Sequence, residues 1–186
     1  MQLVDVVGIA ILVVELIFFD RKRSDRARDR IHDGRSLRTL WLSILAGVIV
    51  ARALSWARFG PEFTLGELGR VVAVAILAAG FALRICAVVA LGRFFTVDVA
   101  IREGHELVQT GLYRVVRHPA YTGLFAMFVG WSLTFENYTA IVALLTPLAL
   151  ALVHRVRIEE TALVSAFGAA YETYRSRTKR FVPFVY

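Results

Sequence analysis

Four long apolar runs restrict this chain to a helical membrane fold. A spanning helix needs about 20 mostly apolar residues, and it must satisfy its own backbone amides because lipid offers them no partner. Leu3 to Phe19 is the first run, interrupted by Asp5 and Glu15. Leu37 to Ala57 is the second, with Arg52 near its end, and Val71 to Leu91, carrying Arg84, is the third. The fourth, Tyr121 to Val153, is too long for one crossing, and Glu136-Asn137 at its middle would be badly placed in hydrocarbon. It is expected to split into two short helices, 119–135 and 138–154, joined as a tight hairpin. The fold class is therefore all-α, an integral membrane protein with five transmembrane helices. The first run has no basic start and no small-residue cleavage site, so it reads as a retained span and not a signal peptide. An apolar share of 58% supports this, since soluble domains hold roughly 45–50%.

The excess of 22 Lys and Arg over 15 Asp and Glu would suggest nucleic acid in a soluble protein. Here the basic residues flank apolar runs, as beside membranes, and no nucleic-acid partner is expected. Residues 21–38 carry Arg21, Lys22, Arg23, Arg26, Arg28, Arg30, Arg35 and Arg38. Residues 58–70 balance Arg58 and Arg70 against Glu62 and Glu67. Residues 92–118 and the tail after 154 are again rich in arginine. Cytoplasmic loops carry the excess of Lys and Arg, which places the N-terminus outside and the two basic loops, the C-terminus and any polar site in the cytoplasm. Cys86 is the sole cysteine, which excludes a disulfide framework, and His32, His105, His118 and His154 lack metal-ligand spacing, so no metal is expected.

Polar residues beside the spans are the candidates for chemistry. Arg84 either snorkels to the interface or faces a polar substrate. The loop before the fourth span reads Leu91-Gly-Arg-Phe-Phe-Thr96, Gly104-His-Glu-Leu-Val108, Gly111-Leu-Tyr113 and Arg117-His-Pro-Ala-Tyr-Thr-Gly123. Pro119 suits the first turn of a helix, so Arg117 and His118 stand at its mouth, where free amides and the dipole attract an anion. Tyr121 follows with a hydroxyl, and Gly123 would let a flat ligand approach. Taken alone, His105 and His118 are ordinary interfacial residues. Arg155 and Glu159 share a helix face and can pair, while Glu160 is turned about 100° away. Phe167-Gly168, Tyr171, Tyr174, Arg175 and Arg177 form an amphipathic stretch expected to cover the cavity.

In their order, the Gly-His-x-Leu-Val, Gly-x-Tyr, Arg-His-Pro-x-Tyr-x-Gly and Glu-Glu elements resemble the isoprenylcysteine carboxyl methyltransferase family, including its prokaryotic members, over roughly residues 80–186. The resemblance implies S-adenosylmethionine as cofactor, held on the cytoplasmic side by the C-terminal helices and their connecting segments. It assigns His105, Leu107, Val108, Gly111, Tyr113, Arg117, His118, Pro119, Tyr121, Gly123, Glu159 and Glu160 to cofactor binding. Arg84, Arg155 and Glu159 would lie toward the reacting group. The chain then divides into residues 1–70, the N-terminal membrane helices with a basic loop, and 71–186, a methyltransferase core. The acceptor would be an amphiphilic carboxylate entering laterally from the bilayer, that of a prokaryotic inner membrane. Only two glutamates stand here, after Arg157 and Ile158, where animal relatives carry a longer acidic run, so the acceptor stays open. The alternatives are an N-methyltransferase acting on an aminolipid and a non-catalytic membrane sensor or transporter.

Overall fold

A computed structural model describes residues 8, 32–33, 35–96, 99–101 and 104–181. The first expected span, Leu3 to Phe19, lies outside the described residues apart from Gly8, as do Asp5, Glu15 and the basic segment 21–31. Among the described residues from 32 onward, five helices follow in chain order: α1 (Arg35–Trp56), α2 (Gly66–Leu91), α3 (Pro119–Leu133), α4 (Tyr138–Phe167) and α5 (Ala169–Arg177). Short 3-10 turns lie at Gly92–Phe94 and Gly111–Arg114. One departure from an all-helical chain is a two-residue antiparallel ribbon, β1 (His32–Asp33) with β2 (Val99–Ala100), which ties the approach to α1 to the loop after α2.

Among the described residues, three helices are long and apolar enough to cross a membrane: α1, α2 with its following turn, and α4. The sequence predicts five crossings. At 15 residues α3 rises only about 22 Å, short of a hydrocarbon layer of about 30 Å, and the first expected span is not among the described residues. The predicted hairpin is present, with its turn at Thr134–Asn137. Asn137 caps α4, its side chain accepting from the Ala140 amide at 2.8 Å. The α1–α2 connection folds over this turn: Phe63 N–H donates to the Glu136 carbonyl at 3.0 Å, and Arg70 pairs with the Glu136 carboxylate at 3.0 Å. The polar pair that splits the fourth apolar run is thus satisfied at one end of the bundle.

Helix α1 packs along α4, α4 against α3, and α3 most closely against α2. The apolar core joins Leu40 and Ile44 of α1, Leu77 of α2, Leu124, Met127 and Phe128 of α3, and Leu144, Leu148 and Leu152 of α4. Leu42, Leu45, Ile49, Val71, Val74, Val142 and Leu150 face outward, as a lipid-facing surface requires. Between α2 and α3 the contact is backbone on backbone. A Cβ placed on Gly80 would stand 2.4 Å from the Met127 nitrogen, and one on Gly130 2.4 Å from the Leu77 nitrogen. Small residues allow such approach where lipid supplies no hydrophobic drive between helices.

Unequal helix length creates the site. Helix α4 runs to 30 residues and continues about three turns past Arg155, whereas α3 begins only at Pro119. The space beyond the start of α3 is enclosed by the end of α2, the two 3-10 turns, the last turns of α4, and α5.

Candidate functional site

Pro119 occupies the first position of α3, where its missing N–H leaves nothing unsatisfied, and His118 is the cap residue. The sequence predicts free amides here for an anion. Of these, the His118 amide donates to the Arg180 carbonyl at 3.0 Å and the Tyr121 amide turns to the His118 carbonyl at 3.1 Å, so both are engaged within the protein. What His118 and Tyr121 do contribute is side chains, aimed at the facing turns of α4.

A chain of short contacts links α1, α3 and α4. Tyr121 donates its hydroxyl proton to the Glu159 carboxylate at 2.8 Å and accepts from Arg155 Nε at 2.8 Å. Arg155 Nη1 in turn donates to Ser36 Oγ of α1 at 2.9 Å. The predicted pairing of Arg155 with Glu159 is therefore bridged by a tyrosine that both of them orient. Arg155 is 2% exposed and Arg84 3% exposed. Arg84 donates to the Ala120 carbonyl at 3.2 Å, so it is turned inward and does not snorkel to the surface. Two buried guanidinium groups thus bring positive charge to this part of the cavity, where low dielectric strengthens its attraction for an anion.

Glu160 lies behind that wall and not on it. Its carboxylate accepts from Arg117 Nε at 3.1 Å and from Arg180 Nη2 at 2.7 Å, and His118 Nε2 stands at 3.4 Å. Arg117 also donates to the Arg175 and Thr178 carbonyls. The backbone joins in: Arg117 N–H donates to the Lys179 carbonyl at 2.8 Å and His118 N–H to the Arg180 carbonyl at 3.0 Å. This knot fastens the C-terminal segment across the entrance to α3. His118 lies between the two glutamates, its Nδ1 3.9 Å from Glu159.

The cavity measures about 1050 Å³ with its open mouth included. Of the residues predicted from sequence, Arg84, His105, Leu107, Val108, Tyr113, Arg117, His118, Tyr121, Arg155 and Glu159 line it. Gly111, Pro119, Gly123 and Glu160 do not. Gly111 adopts φ +57° to begin the turn that presents Tyr113, a backbone role. Gly123 is placed differently from expectation: a Cβ there would stand 2.6 Å from the Arg84 nitrogen, so this glycine admits helix α2 and not a flat ligand.

Several lining residues carry no signal in the sequence. Leu37 and Leu40 of α1, with Leu91 of α2, give the cavity an apolar side, and Ser36 reaches Arg155 from a segment that the motifs do not touch. Phe94 stacks on His105 with centroids 5.0 Å apart. The amphipathic segment borders the cavity, with Tyr171 and Tyr174 among its lining residues. Tyr174 donates to the Tyr113 carbonyl at 2.6 Å. Burial pushes the Tyr174 phenol up to about 12 and raises Tyr113 further, so both stay neutral hydrogen-bonding groups. Among the described residues, no group of three His, Cys, Asp or Glu side chains is placed to hold a metal ion.

Comparison with known proteins agrees with this geometry. Residues 71–165, from α2 nearly to the end of α4, match the isoprenylcysteine carboxyl methyltransferase family. The chain is 31% identical over 159 residues to a protein-S-isoprenylcysteine O-methyltransferase of Schizosaccharomyces pombe, covering 78% of this chain and 67% of the relative. It is 34% identical over 112 residues to the B-form enzyme of Arabidopsis thaliana, covering 59% of this chain and 57% of that one. A solved structure of a eukaryotic intramembrane Ras methyltransferase shares the fold at a TM-score of 0.58 and 24% identity, covering 81% of this chain and 51% of that one. The chain thus spans about half to two thirds of these relatives. With the ordered motifs gathered around one cavity and a match across more than half its length, the chain belongs to the isoprenylcysteine carboxyl methyltransferase family.

Proposed function

We propose that this protein transfers a methyl group from S-adenosylmethionine to the carboxylate of an amphiphilic, isoprenylcysteine-like acceptor. The observation that carries the proposal is the meeting, in one cavity, of the buried Arg84 and the Arg155–Tyr121–Glu159 chain with an apolar side formed by Leu37, Leu40 and Leu91. The basic connections support a cytoplasmic setting for the cavity, with the N-terminus on the other side of the membrane.

The donor set suits S-adenosylmethionine: aromatic rings for a purine, carboxylate Glu159 at 30% side-chain exposure for an ammonium, and Arg117 and His118 beside it. When bound, that cofactor supplies a methyl group already activated on a sulfonium sulfur. An acceptor carboxylate with an ordinary pKa near about 4 is ionised at neutral pH, so no side chain has to act as general base. The task left to the protein is alignment and removal of water. Arg84 and Arg155 would hold the acceptor oxygens; Tyr121 fixes the Arg155 fork from the side, and Glu159 fixes Tyr121 by accepting its hydroxyl hydrogen bond. The segment 178–181, strapped down through Glu160, keeps bulk water from the start of α3. The apolar side formed by α1 and α2 would receive a hydrocarbon tail arriving from the bilayer.

Purified protein titrated with S-adenosylhomocysteine should bind it saturably, and the same protein supplied instead with methyl-labelled S-adenosylmethionine should incorporate label into S-farnesylcysteine as a base-labile ester. Absence of saturable binding would refute cofactor use. Glu159 favours one second reading, an amine acceptor. An amine must lose a proton before attack, so a rate rising steeply through the amine's own pKa is its signature, whereas a carboxylate acceptor gives a flat profile over the same range.

A further inference from the structure

Four tyrosines line the cavity, and three have assigned their hydroxyls to the protein: Tyr113 donates to the Ala87 carbonyl at 3.2 Å, Tyr121 to Glu159 and Tyr174 to the Tyr113 carbonyl. The fourth, Tyr171, is 1% exposed, and among the described residues its buried hydroxyl has no hydrogen-bond partner. Native proteins satisfy nearly all buried polar groups, because a buried phenol that has exchanged water for nothing is destabilising. An orphan of this kind inside a structural core would be a defect. On the wall of a ligand cavity it is a donor kept in reserve.

Local structure holds Tyr171 in place without using its hydroxyl. Gly168, at φ +51°, ends α4 and starts α5, and the Tyr171 amide donates back to the Gly168 carbonyl at 3.1 Å. Its ring meets Tyr174 edge-on with centroids 6.0 Å apart. Burial, reinforced by Glu160 and Glu159, raises the phenol above its ordinary range, so it remains protonated and neutral under working conditions. The charged groups that reach it are Glu160, Glu159 and Arg117, a setting that suits a polar ligand and not a hydrocarbon tail.

We propose that Tyr171 contacts the cofactor, its hydroxyl forming a hydrogen bond with a polar atom of the sulfonium nucleoside. The assignment rests on the methyltransferase function proposed above and extends it to α5, which lies beyond the segment matched to the family, 71–165. A neutral hydroxyl among charged side chains can orient the ligand without adding charge near the sulfonium. Ligand binding then satisfies a group that the ligand-free protein leaves unpaired.

Tyr171→Phe removes the oxygen and nothing else. The full chain in detergent, titrated with S-adenosylhomocysteine, should show its dissociation constant raised about tenfold, or 1.4 kcal/mol. Its ligand-free melting temperature should be no lower than wild type, because no protein hydrogen bond is lost, and the melting shift produced by saturating S-adenosylhomocysteine should shrink. A variant that binds within twofold of wild type overturns the assignment. So does one that melts earlier without ligand or fails to fold, since the hydroxyl would then serve the fold. Wild-type protein that does not bind S-adenosylhomocysteine refutes the function itself, an outcome separate from a wild type that binds and a Phe variant that binds equally well.

Discussion

Alanine at Gly123 should damage catalysis from a position that touches no ligand. Its new Cβ would sit 2.6 Å from the Arg84 nitrogen and 2.7 Å from the Gly80 carbonyl oxygen, both backbone atoms of α2 that no rotamer change can move aside. Restoring an ordinary contact of 3.4 Å requires α2 and α3 to part by about 0.8 Å at this level. Overpacking of that kind costs about 1–3 kcal/mol of stability. The consequence for the site is larger. Arg84 is held by a 3.2 Å bond to the Ala120 carbonyl on α3, and a further 0.8 Å stretches it to about 4 Å, past the range of a hydrogen bond. A displacement near 1 Å at a reacting geometry lowers rate by roughly 10²-fold. Initial rates of methyl transfer to S-farnesylcysteine, with melting temperatures and S-adenosylhomocysteine affinity measured on the same preparations, should show kcat/KM reduced by that order while cofactor binding changes much less. Gly80→Ala, with its Cβ 2.4 Å from the Met127 nitrogen, should be at least as harmful. Wild-type kcat/KM and melting temperature in Gly123→Ala would refute the claim that this crossing sets the depth of Arg84.

Three further outcomes follow from the same contacts. Arg155→Lys keeps the charge but not the fork that reaches Tyr121 and Ser36 together, so kcat/KM should drop by roughly 10²-fold with S-adenosylhomocysteine affinity nearly unchanged; an equal loss of cofactor affinity in titration would contradict the role. Ser36→Ala removes one charge-assisted hydrogen bond, about 1.5–3 kcal/mol, and should raise the acceptor KM while Ser36→Thr restores it; steady-state kinetics with no change in KM would count against α1 as a support for Arg155. Alkaline stability should fall above pH 10: the Tyr174 phenol is raised to about 12 in the fold against about 10 in the unfolded chain, so the unfolded form loses its proton first and is favoured as pH rises. Melting curves between pH 9 and 12 should steepen this way, and Tyr174→Phe should flatten the slope by about 1.4 kcal/mol per pH unit; an unaltered slope would show that Tyr174 does not titrate with unfolding.

Periodicity and composition were enough to place the long helices among the described residues, because lipid makes long apolar runs and helices nearly synonymous. Helix α2 was expected over 71–91 and runs Gly66–Leu91; the hairpin was expected to break at Glu136-Asn137 and does, with Asn137 as cap. Pro119 marked the start of α3 for a reason internal to one residue, a ring that fits a first helical turn. The extent of α4 was legible only in part: its span was expected to end at 154, but the helix continues to Phe167, since nothing between His154 and Phe167 interrupts a helix once its start is anchored.

What the chain's own order of residues determined is thus the long apolar helices, the starts of α3 and α4, and many of the side chains that line one cavity. What only the tertiary structure decided is how those side chains are used. Gly123 faces another helix and not a ligand, Glu160 is enclosed by Arg117, His118 and Arg180, and Ser36 supports Arg155 across 119 positions of sequence. Such partnerships join distant elements and have no local periodicity to announce them. They follow from how closely α2 and α3 approach, and from a short α3 set beside a long α4, a difference in length that leaves one buried recess where residues from every described helix meet.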